Sequence, residues 1–526
     1  MPLPVFQLED LEGVAHAFPG DRLTLLCFVK EDCPTCRLIL PIIDRWSECF
    51  SPQLSVLVIG QSTEGNRRLE SRHGVQSAIL DDSRLLVSFR NKIDVVPTLI
   101  LADPVGSGLA RVMGFKKEEW QELEGVLSHR ISCYASAEVD WPALPELRPG
   151  CGSLSSDPEQ VRRLEAELDG PRLRSRPIEI GSATDEFEFL FEQGFTDGLP
   201  VIPPSPERVH SMLAGTRRQP QDLVAVVPPN MGQATVEKTA INAVMAGCRP
   251  EYLPIVIAAL EAVCTDEFNI HGVMATTMGA SPVLVVNGPI RHRIEMNMKQ
   301  GALGQGNRPN ATIGRALRLV LANVGGARPG GIEQATLSSP LKFTMCFAEW
   351  EEMSLWEPLH VERGFSASDS VVTAFGMTSG PTLVVDQTSR TAAQLAGSIG
   401  QAADAAFHPR AHGLTDVLLV IPPEHVATLE TEGYQKEDLR NRIQEVTAVP
   451  LRELQRDSIS GVGLDPAEAS QLSPERLAAR VPKFASPSDI HIVVAGGTAG
   501  KFTGIFHGWS AGPRGTQPVS RRIEEV

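Results

Sequence analysis

Two cysteines three positions apart, Cys33 and Cys36 in FVKEDCPTCRLILPII, form the one pair with a diagnostic spacing among the nine cysteines of the chain. A CxxC can exchange disulfides, supply half of a zinc site, or be two inert buried thiols. Zinc needs two further ligands, and no second CxxC or HxxxC follows nearby. Exchange is therefore the leading chemistry, with zinc and an inert pair as alternatives. Exchange needs one cysteine held as thiolate to attack and a second to resolve the mixed disulfide.

A second concentration of reactive side chains is CFAEWEEMSLWEPLHVERGF, which gathers Cys346, Glu349, Glu351, Glu352, Glu357, His360, Glu362 and Arg363. If PLHVER is extended, His360 and Glu362 share a face, a spacing that suits an acid/base pair or two metal ligands. A solvated acidic patch is the competing reading. A metal is possible here but not expected, and no other cofactor is expected. His271 stands before a Gly- and Thr-rich turn, Asn287 ends the apolar run SPVLVVN, and Lys501 follows the glycines of VVAGGTAGK. That last stretch is not a P-loop. Its glycines Gly496 and Gly500 enclose three residues instead of four, and Phe502 occupies the magnesium-binding position. It could still form a backbone nest for an anion, with Lys501 adding charge and Asn287 as a further ligand-binding candidate. The loop GNRPNATIGRA could likewise offer N–H groups and Arg308 to a carboxylate, without a dinucleotide fingerprint.

The elements that must position these groups follow from apolar spacing. RLTLLCFV reads as a strand and CRLILPIIDRW as a helix, so Cys33 falls where a strand feeds a helix. The unpaired N–H groups and positive dipole end there favour a thiolate, and Pro34 suits the first helical turn. Composition bounds the rest: 526 residues, 42% hydrophobic and 21% charged, are enough for several domains of an ordinary globular type. A formal net charge of −16 disfavours nucleic acid and anionic membrane partners. No apolar run reaches the roughly 18 residues of a membrane span, and MPLPVFQLEDLEG lacks the basic start and apolar core of a signal peptide. The expected location is the cytoplasm.

About residues 1 to 130 resemble the thioredoxin fold. The resemblance rests on CPTC, on Val96-Pro97-Thr98 as the cis-proline loop, and on the order strand, CxxC helix, LSVLVIG strand, helix, Val-Pro-Thr strand, ARVMGF, and final helix KKEEWQELEGVL. It implies Cys33 as attacking thiol, Cys36 as resolving thiol and Pro97 as the residue shaping the substrate groove. It also implies a small-molecule or protein thiol substrate, and a reductant such as a thioredoxin reductase or a low-molecular-weight thiol. Asp32 stands where thioredoxins usually have Trp, and Cys27 where they carry a buried acid.

From Ser136 to Asp185 the chain turns rich in Pro, Gly, Ser and charge, which reads as a linker with one short helix, PEQVRRLEAEL. Cys151, between two glycines, reads as exposed and incidental. The expected organisation is thus a thioredoxin-like domain over 1–135, a linker over 136–185 and a larger α/β domain over 186–526. In the last, strand-like runs (LVAVVPP, SPVLVVNGP, PTLVVDQ, VLLVIPP, IHIVVAGG) alternate with helical patterns. Two weak repeats pair LVAVVPPNMG with VLLVIPPEHV and MATTMGASPVLVVNGP with FGMTSGPTLVVDQT, which would place Asn287 and Asp386 at related strand ends. FTDGLPVIPPSPERV, EPLHVERGF and VVAGGTAGKF together resemble a family of uncharacterised bacterial proteins, a resemblance that implies no particular reaction.

The functional expectation is a cytoplasmic thiol-disulfide oxidoreductase module supplying electrons to the large domain, where Cys248, Cys264 or Cys346 could accept them. The alternatives are a metal- or carboxylate-dependent hydrolase or lyase using Glu349, His360, Glu362 and His271 with a protective thioredoxin module, and a non-enzymatic redox sensor or scaffold. A homo-oligomer is compatible with all three.

Overall fold

The apolar runs of the N-terminal region become one five-stranded sheet. Its centre is the strand Leu23–Val29, paired in parallel with Leu54–Gly60 and antiparallel with Thr98–Ala102; Ile79–Asp81 and Gly108–Met113 complete the two sides. The computed structural model describes residues 2–73, 75–131, 137–169, 173–178, 180 and 185–525. Helices Pro34–Cys49, Thr63–His73 and Lys117–Ile131 follow the strands in the order expected for a thioredoxin-like fold. A hairpin of Phe6–Glu9 and Ala15–Phe18, not anticipated from sequence, precedes them. Register places the site: Phe28 lies opposite Thr98, so the chain leaves the central strand toward Cys33 at the sheet end where Pro97 enters.

The chain divides into two compact units, Met1–Gly170 and Pro171–Val526. The boundary therefore lies well past Ser136, and the stretch expected to be a linker is mostly part of the first unit. Leu147–Arg148 pairs with Phe115–Lys116, Cys151–Gly152 pairs with Val95–Val96, and a helix runs from Pro158 to Asp169 with Leu164 fully buried. Residues 136, 170–172, 179 and 181–184 lie outside the described residues. The serines that suggest a linker are internal hydrogen-bonding groups instead. The Gln61 amide donates to Ser88 Oγ (3.1 Å) and Ser153 Oγ (2.7 Å), Leu154 N donates to Gln61 Oε1 (3.0 Å), and Ser155 Oγ donates to Ile93 O (2.9 Å).

The second unit is also α/β, built on a mixed seven-stranded sheet. Two strand–helix–strand–strand modules make six of the strands. Ser281–Asn287, Cys346–Ala348 and Val371–Val385 form one module; Thr415–Ile421, Ile490–Val494 and Phe502–Ser510 form the other. In each, the first two strands pair in parallel and the third runs antiparallel to the first. The two third strands pair with each other at the centre, and Val519–Arg522 adds to Val371–Val385. The repeated topology thus matches Ser281–Asn287 with Thr415–Ile421, not the segments expected from sequence. Leu223–Val227 sits apart in a hairpin with Gly232–Thr235. Asn287 pairs with Val371, at the opposite end of that strand from Asp386.

Ser281–Asn287, Thr415–Ile421 and Ile490–Val494 are near-continuous Val, Ile and Leu because both faces are covered. Val283, Val285, Phe347, Phe375, Leu418, Val420, Val493 and Phe506 converge in one cluster on the inner face. On the outer face, Leu284, Val286 and Ala348 pack under helices Val236–Ala246, Leu253–Val263 and Arg308–Asn323. Val417, Leu419, Ile492 and Val494 do so under Ala392–Ala403 and Lys436–Thr447. The sheet curls until its edges meet: Trp350 N, just past one edge strand, donates to Val494 O at the end of the other (2.6 Å). No helix among the described residues is long and apolar enough to cross a membrane.

A chain ending at Gly170 should unfold cooperatively. One ending at residue 135 loses the Gln61–Ser153–Ser155 hydrogen bonds, each of order 1 kcal/mol, and should melt lower by at least about 5 °C. Circular dichroism melts of the two chains check this.

Candidate active site

Cys33 is the N-cap of helix Pro34–Cys49, with β-region dihedrals, and its sulfur accepts the N–H of Cys36 at 3.4 Å. Pro34 at the next position forfeits an N–H that has no intrahelical acceptor. The sulfur therefore terminates the helix as a capping oxygen would, in the positive end of the dipole. The Cys36 thiol, then the Cys151 thiol and the N–H groups of Cys36 and Thr35, all favour a negative sulfur; burial opposes them, and Cys33 is brought down to about 5. Cys36 moves the other way, pushed far up by burial first and by Cys33 second. The surroundings thus favour the thiolate at Cys33 and the protonated thiol at Cys36. Val96–Pro97 is cis, and Cys33 Sγ lies 3.4 Å from Val96 O. Cys27 is fully buried with its thiol pushed far up by desolvation, so it cannot replace a carboxylate in proton transfer. Asp32 is exposed and paired with Lys30 Nζ at 3.3 Å.

A third thiol belongs to this site. Cys151 lies in a strap, residues 146–156, bonded to the active-site surface along its length. Lys117 N donates to Glu146 O (2.9 Å), Thr35 Oγ1 within the CPTC donates to Pro149 O (2.7 Å), and Lys30 Nζ donates to Gly152 O (3.2 Å). Ser153 N donates to Asp94 O (3.0 Å). Cys151 is the pairing partner of Val96, the residue before Pro97. Two glycines permit the approach. A Cβ on Gly150 would stand 2.7 Å from Val96 O, and Gly114, at φ +66°, would place one 3.0 Å from Gly150 N. Cys151 is half-buried, not exposed, and its thiol is raised chiefly by its hydrogen bond to Cys33. The sequence signal was Gly-Cys-Gly after Pro149, which reads equally well as a turn.

In the large unit the structure separates His360 from Glu362. PLHVER is not extended: Leu359–Glu362 is a helical turn, so residues two apart point roughly 200° away from each other. His360 is fully buried, its Nδ1 3.9 Å from Glu351 Oε1. Glu362 instead pairs with Lys436 Nζ at 2.8 Å and with Arg440. Arg363 turns toward the strand Val519–Arg522, donating to Ser520 Oγ (2.6 Å). His271 is exposed on the first turn of a short helix. The glycine nest before Lys501 is already occupied by the chain, since Gly496 N donates to Met298 O and Gly500 N to Glu424.

Glu349 and Asn287 do come together. Glu349 is wholly buried, and its Oε2 accepts from Asn287 Nδ2 (2.6 Å) and Leu359 N (2.8 Å). Glu349 Oε1 and Asn287 Oδ1 have no hydrogen-bond partner, and burial raises the Glu349 carboxyl. Arg291, unremarked in the sequence, organises the surroundings: it donates to Glu349 O (2.7 Å) and pairs with Glu351 (2.8 Å) and Glu352 (3.0 Å). Two other buried polar groups also escaped sequence reasoning. His425 bridges Thr503 Oγ1 (2.7 Å) and Asp386 O (3.1 Å), and Lys483, lowered to about 8 by burial, donates to His408 O (2.6 Å). Asp197 of the DGLP turn is a clasp, held by Arg315 Nε at 2.8 Å. Among the described residues no three His, Cys, Asp or Glu side chains converge as a metal site would require. Cys248 and Cys346 are core residues and Cys264 is half-buried, their thiols all raised by desolvation.

No protein-family model and no curated protein matches the chain. Solved structures similar to its N-terminal quarter include StoA from Bacillus subtilis, 20% identical, covering 24% of this chain and 98% of that one with a TM-score of 0.21. A thiol-disulfide oxidoreductase from Bacteroides fragilis is 20% identical, covering 24% and 99% with a TM-score of 0.22. The thioredoxin domain of a thiol-disulfide oxidoreductase from Bacteroides vulgatus is 16% identical, covering 24% and 96% with a TM-score of 0.22. The bacterial family expected from DGLPVIPP and PLHVERGF finds no counterpart in these comparisons.

Ultraviolet thiolate absorbance of the reduced protein should titrate with a midpoint near about 5, and Cys33→Ser should remove that transition. A thiol lowered on folding stabilises the fold above its unfolded value, so this contribution should be lost as pH falls through about 5. Glu349 predicts the opposite slope. The fold keeps a proton that the unfolded chain releases, so stability should fall as pH rises above the ordinary carboxyl range. Glu349→Gln should flatten that slope in denaturant melts taken across pH.

Proposed function

We propose that the protein is a thiol-disulfide oxidoreductase whose reaction centre is Cys33 with Cys36, beside Pro97. The observation that carries this reading is Cys33 as the sulfur cap of a helix, lowered to about 5 next to a buried, protonated Cys36. Cys33 attacks the sulfur of a disulfide presented to it, and Cys36 resolves the resulting Cys33 disulfide by attacking Cys33. A stabilised thiolate favours the reduced pair, which poises it to accept electrons more readily than a dithiol of ordinary acidity. The substrate class is a disulfide or thiol, and a low-molecular-weight thiol is the natural partner for resetting the pair.

Delivery of electrons to the large unit is part of this proposal only for a disulfide bound there, because Cys248, Cys264 and Cys346 are poor acceptors with raised thiols. A cytoplasmic location belongs to the same reading and is checked by cell fractionation. The second reading, a carboxylate-dependent hydrolase or lyase, would have to use Glu349 with Asn287, whose unpartnered Oε1 and Oδ1 are the observation in its favour. His360 and Glu362 cannot serve it as a pair.

Equilibration with glutathione buffers should give a reversible Cys33–Cys36 disulfide with a potential less negative than about −230 mV. Cys33→Ser should abolish both this disulfide and turnover of small disulfides. Equal turnover by wild type and Cys33→Ser would overturn the reading.

A further inference from the structure

Cys33 has no solvent-exposed surface. The strap lies across it, fixed on one side by Leu147 and Arg148 pairing with Lys116 and Phe115, and on the other by Ser153 on Gln61 and Asp94. An external disulfide therefore has no direct path to the nucleophile while the strap is seated. Cys151 is different: it is partly exposed, and it pairs with Val96, whose carbonyl lies 3.4 Å from the Cys33 sulfur. Strap, dithiol and Val96 thus hold three sulfurs in sequence from solvent to core, Cys151, Cys33 and Cys36.

We propose that Cys151 is a third redox thiol, through which low-molecular-weight disulfides exchange with Cys33 by way of an intramolecular Cys33–Cys151 disulfide. The proposal rests on the exchange function assigned to Cys33 and Cys36 and names its substrate class. The Cys151 thiolate attacks a disulfide R–S–S–R, forming Cys151–S–S–R and releasing R–S⁻. The Cys33 thiolate then attacks the Cys151 sulfur, forming Cys33–S–S–Cys151 and releasing the second R–S⁻. Cys36 attacks Cys33, which leaves a Cys33–Cys36 disulfide and returns Cys151 to a thiol. Two electrons pass from Cys33 and Cys36 to R–S–S–R, which departs as two R–SH: one proton comes from the Cys36 thiol and the other from solvent, because Cys33 starts as a thiolate. Cys33 suits the middle position, since a sulfur that is stable as thiolate attacks at neutral pH; in the last step the Cys151 thiolate leaves and takes a proton from solvent. The raised Cys151 thiol makes the first step rise with pH.

The test uses the full chain, reduced and then exposed to hydroxyethyl disulfide near neutral pH, quenched with N-ethylmaleimide and mapped by peptide mass spectrometry. Cys36→Ser should accumulate a Cys33–Cys151 disulfide with no mercaptoethanol adduct left on either residue. Cys151→Ser should oxidise at Cys33 at least about tenfold more slowly than wild type, because the outer thiol is gone while the strap remains. A Cys36→Ser protein with mercaptoethanol on Cys33 and maleimide on Cys151 would overturn the proposal, as would wild-type oxidation rates in Cys151→Ser. If a variant fails to fold, briefly oxidised wild type supplies the same readout: a Cys33–Cys151 peptide that precedes the Cys33–Cys36 product supports the relay, and its absence at every time point overturns it. A reversible Cys33–Cys36 disulfide without any Cys33–Cys151 intermediate would sink the relay and leave the exchange function standing. A Cys33–Cys151 disulfide that never passes to Cys36 would overturn both, since the relay ends on the Cys33–Cys36 disulfide.

Discussion

The candidate site of the first unit depends on one sulfur at the start of a helix, where the N–H donors favour its thiolate. The start of an α-helix leaves several N–H donors without acceptors, and nothing in CPTC offers them a side-chain oxygen except Thr35, whose hydroxyl is spent on Pro149. Cys33 fills that need as a sulfur cap. Everything adjacent then has to tolerate or support its charge. Cys36 must stay protonated, Val96 O at 3.4 Å accepts from the Cys33 sulfur only in its thiol form, and the covering segment must bring donors instead of acceptors. Cys151 meets that last condition with its thiol.

This logic explains what could be read from the sequence. The strand-to-helix placement of Cys33, and the return of Val96-Pro97-Thr98 to the same sheet end, follow from local patterns: an apolar run, a helical apolar spacing and a proline where its missing N–H is harmless. The strap was illegible for a physical reason. Pro149, Gly150, Gly152 and Ser153 have the composition of a solvated linker, yet Gly150 is there because only a residue without Cβ can lie against Val96 O, and Ser153 because a buried Gln61 needs a partner. The sequence carries the same letters for a chain that must be loose and for a chain that must approach another backbone closely.

The large unit shows the same limit on a different scale. Its strands were legible because burial on both faces leaves continuous runs of Val, Ile and Leu. Their pairing was not, since those runs look alike although SPVLVVN is wholly buried and PTLVVDQ leaves Leu383 and Val385 exposed. Nor was the direction of His360. A two-residue spacing implies one face only in a strand, and PLHVER folds as a turn of helix because Glu349 captures the Leu359 N–H at its start. One buried carboxylate thereby decides where His360, Glu362 and Arg363 point.

The hydrogen bond from Trp350 to Val494 has a meaning beyond closing the sheet. A row of exposed strand N–H and C=O groups is a template on which other chains can assemble, and proteins rich in Val and Ile strands are the most exposed to that hazard. Bringing the two short edge strands, Cys346–Ala348 and Ile490–Val494, against each other leaves little of that template in solvent. The curvature that gathers Phe347, Phe375 and Phe506 into one interior is therefore also a safeguard against aggregation, at the place in the chain where the β-forming sequence is densest.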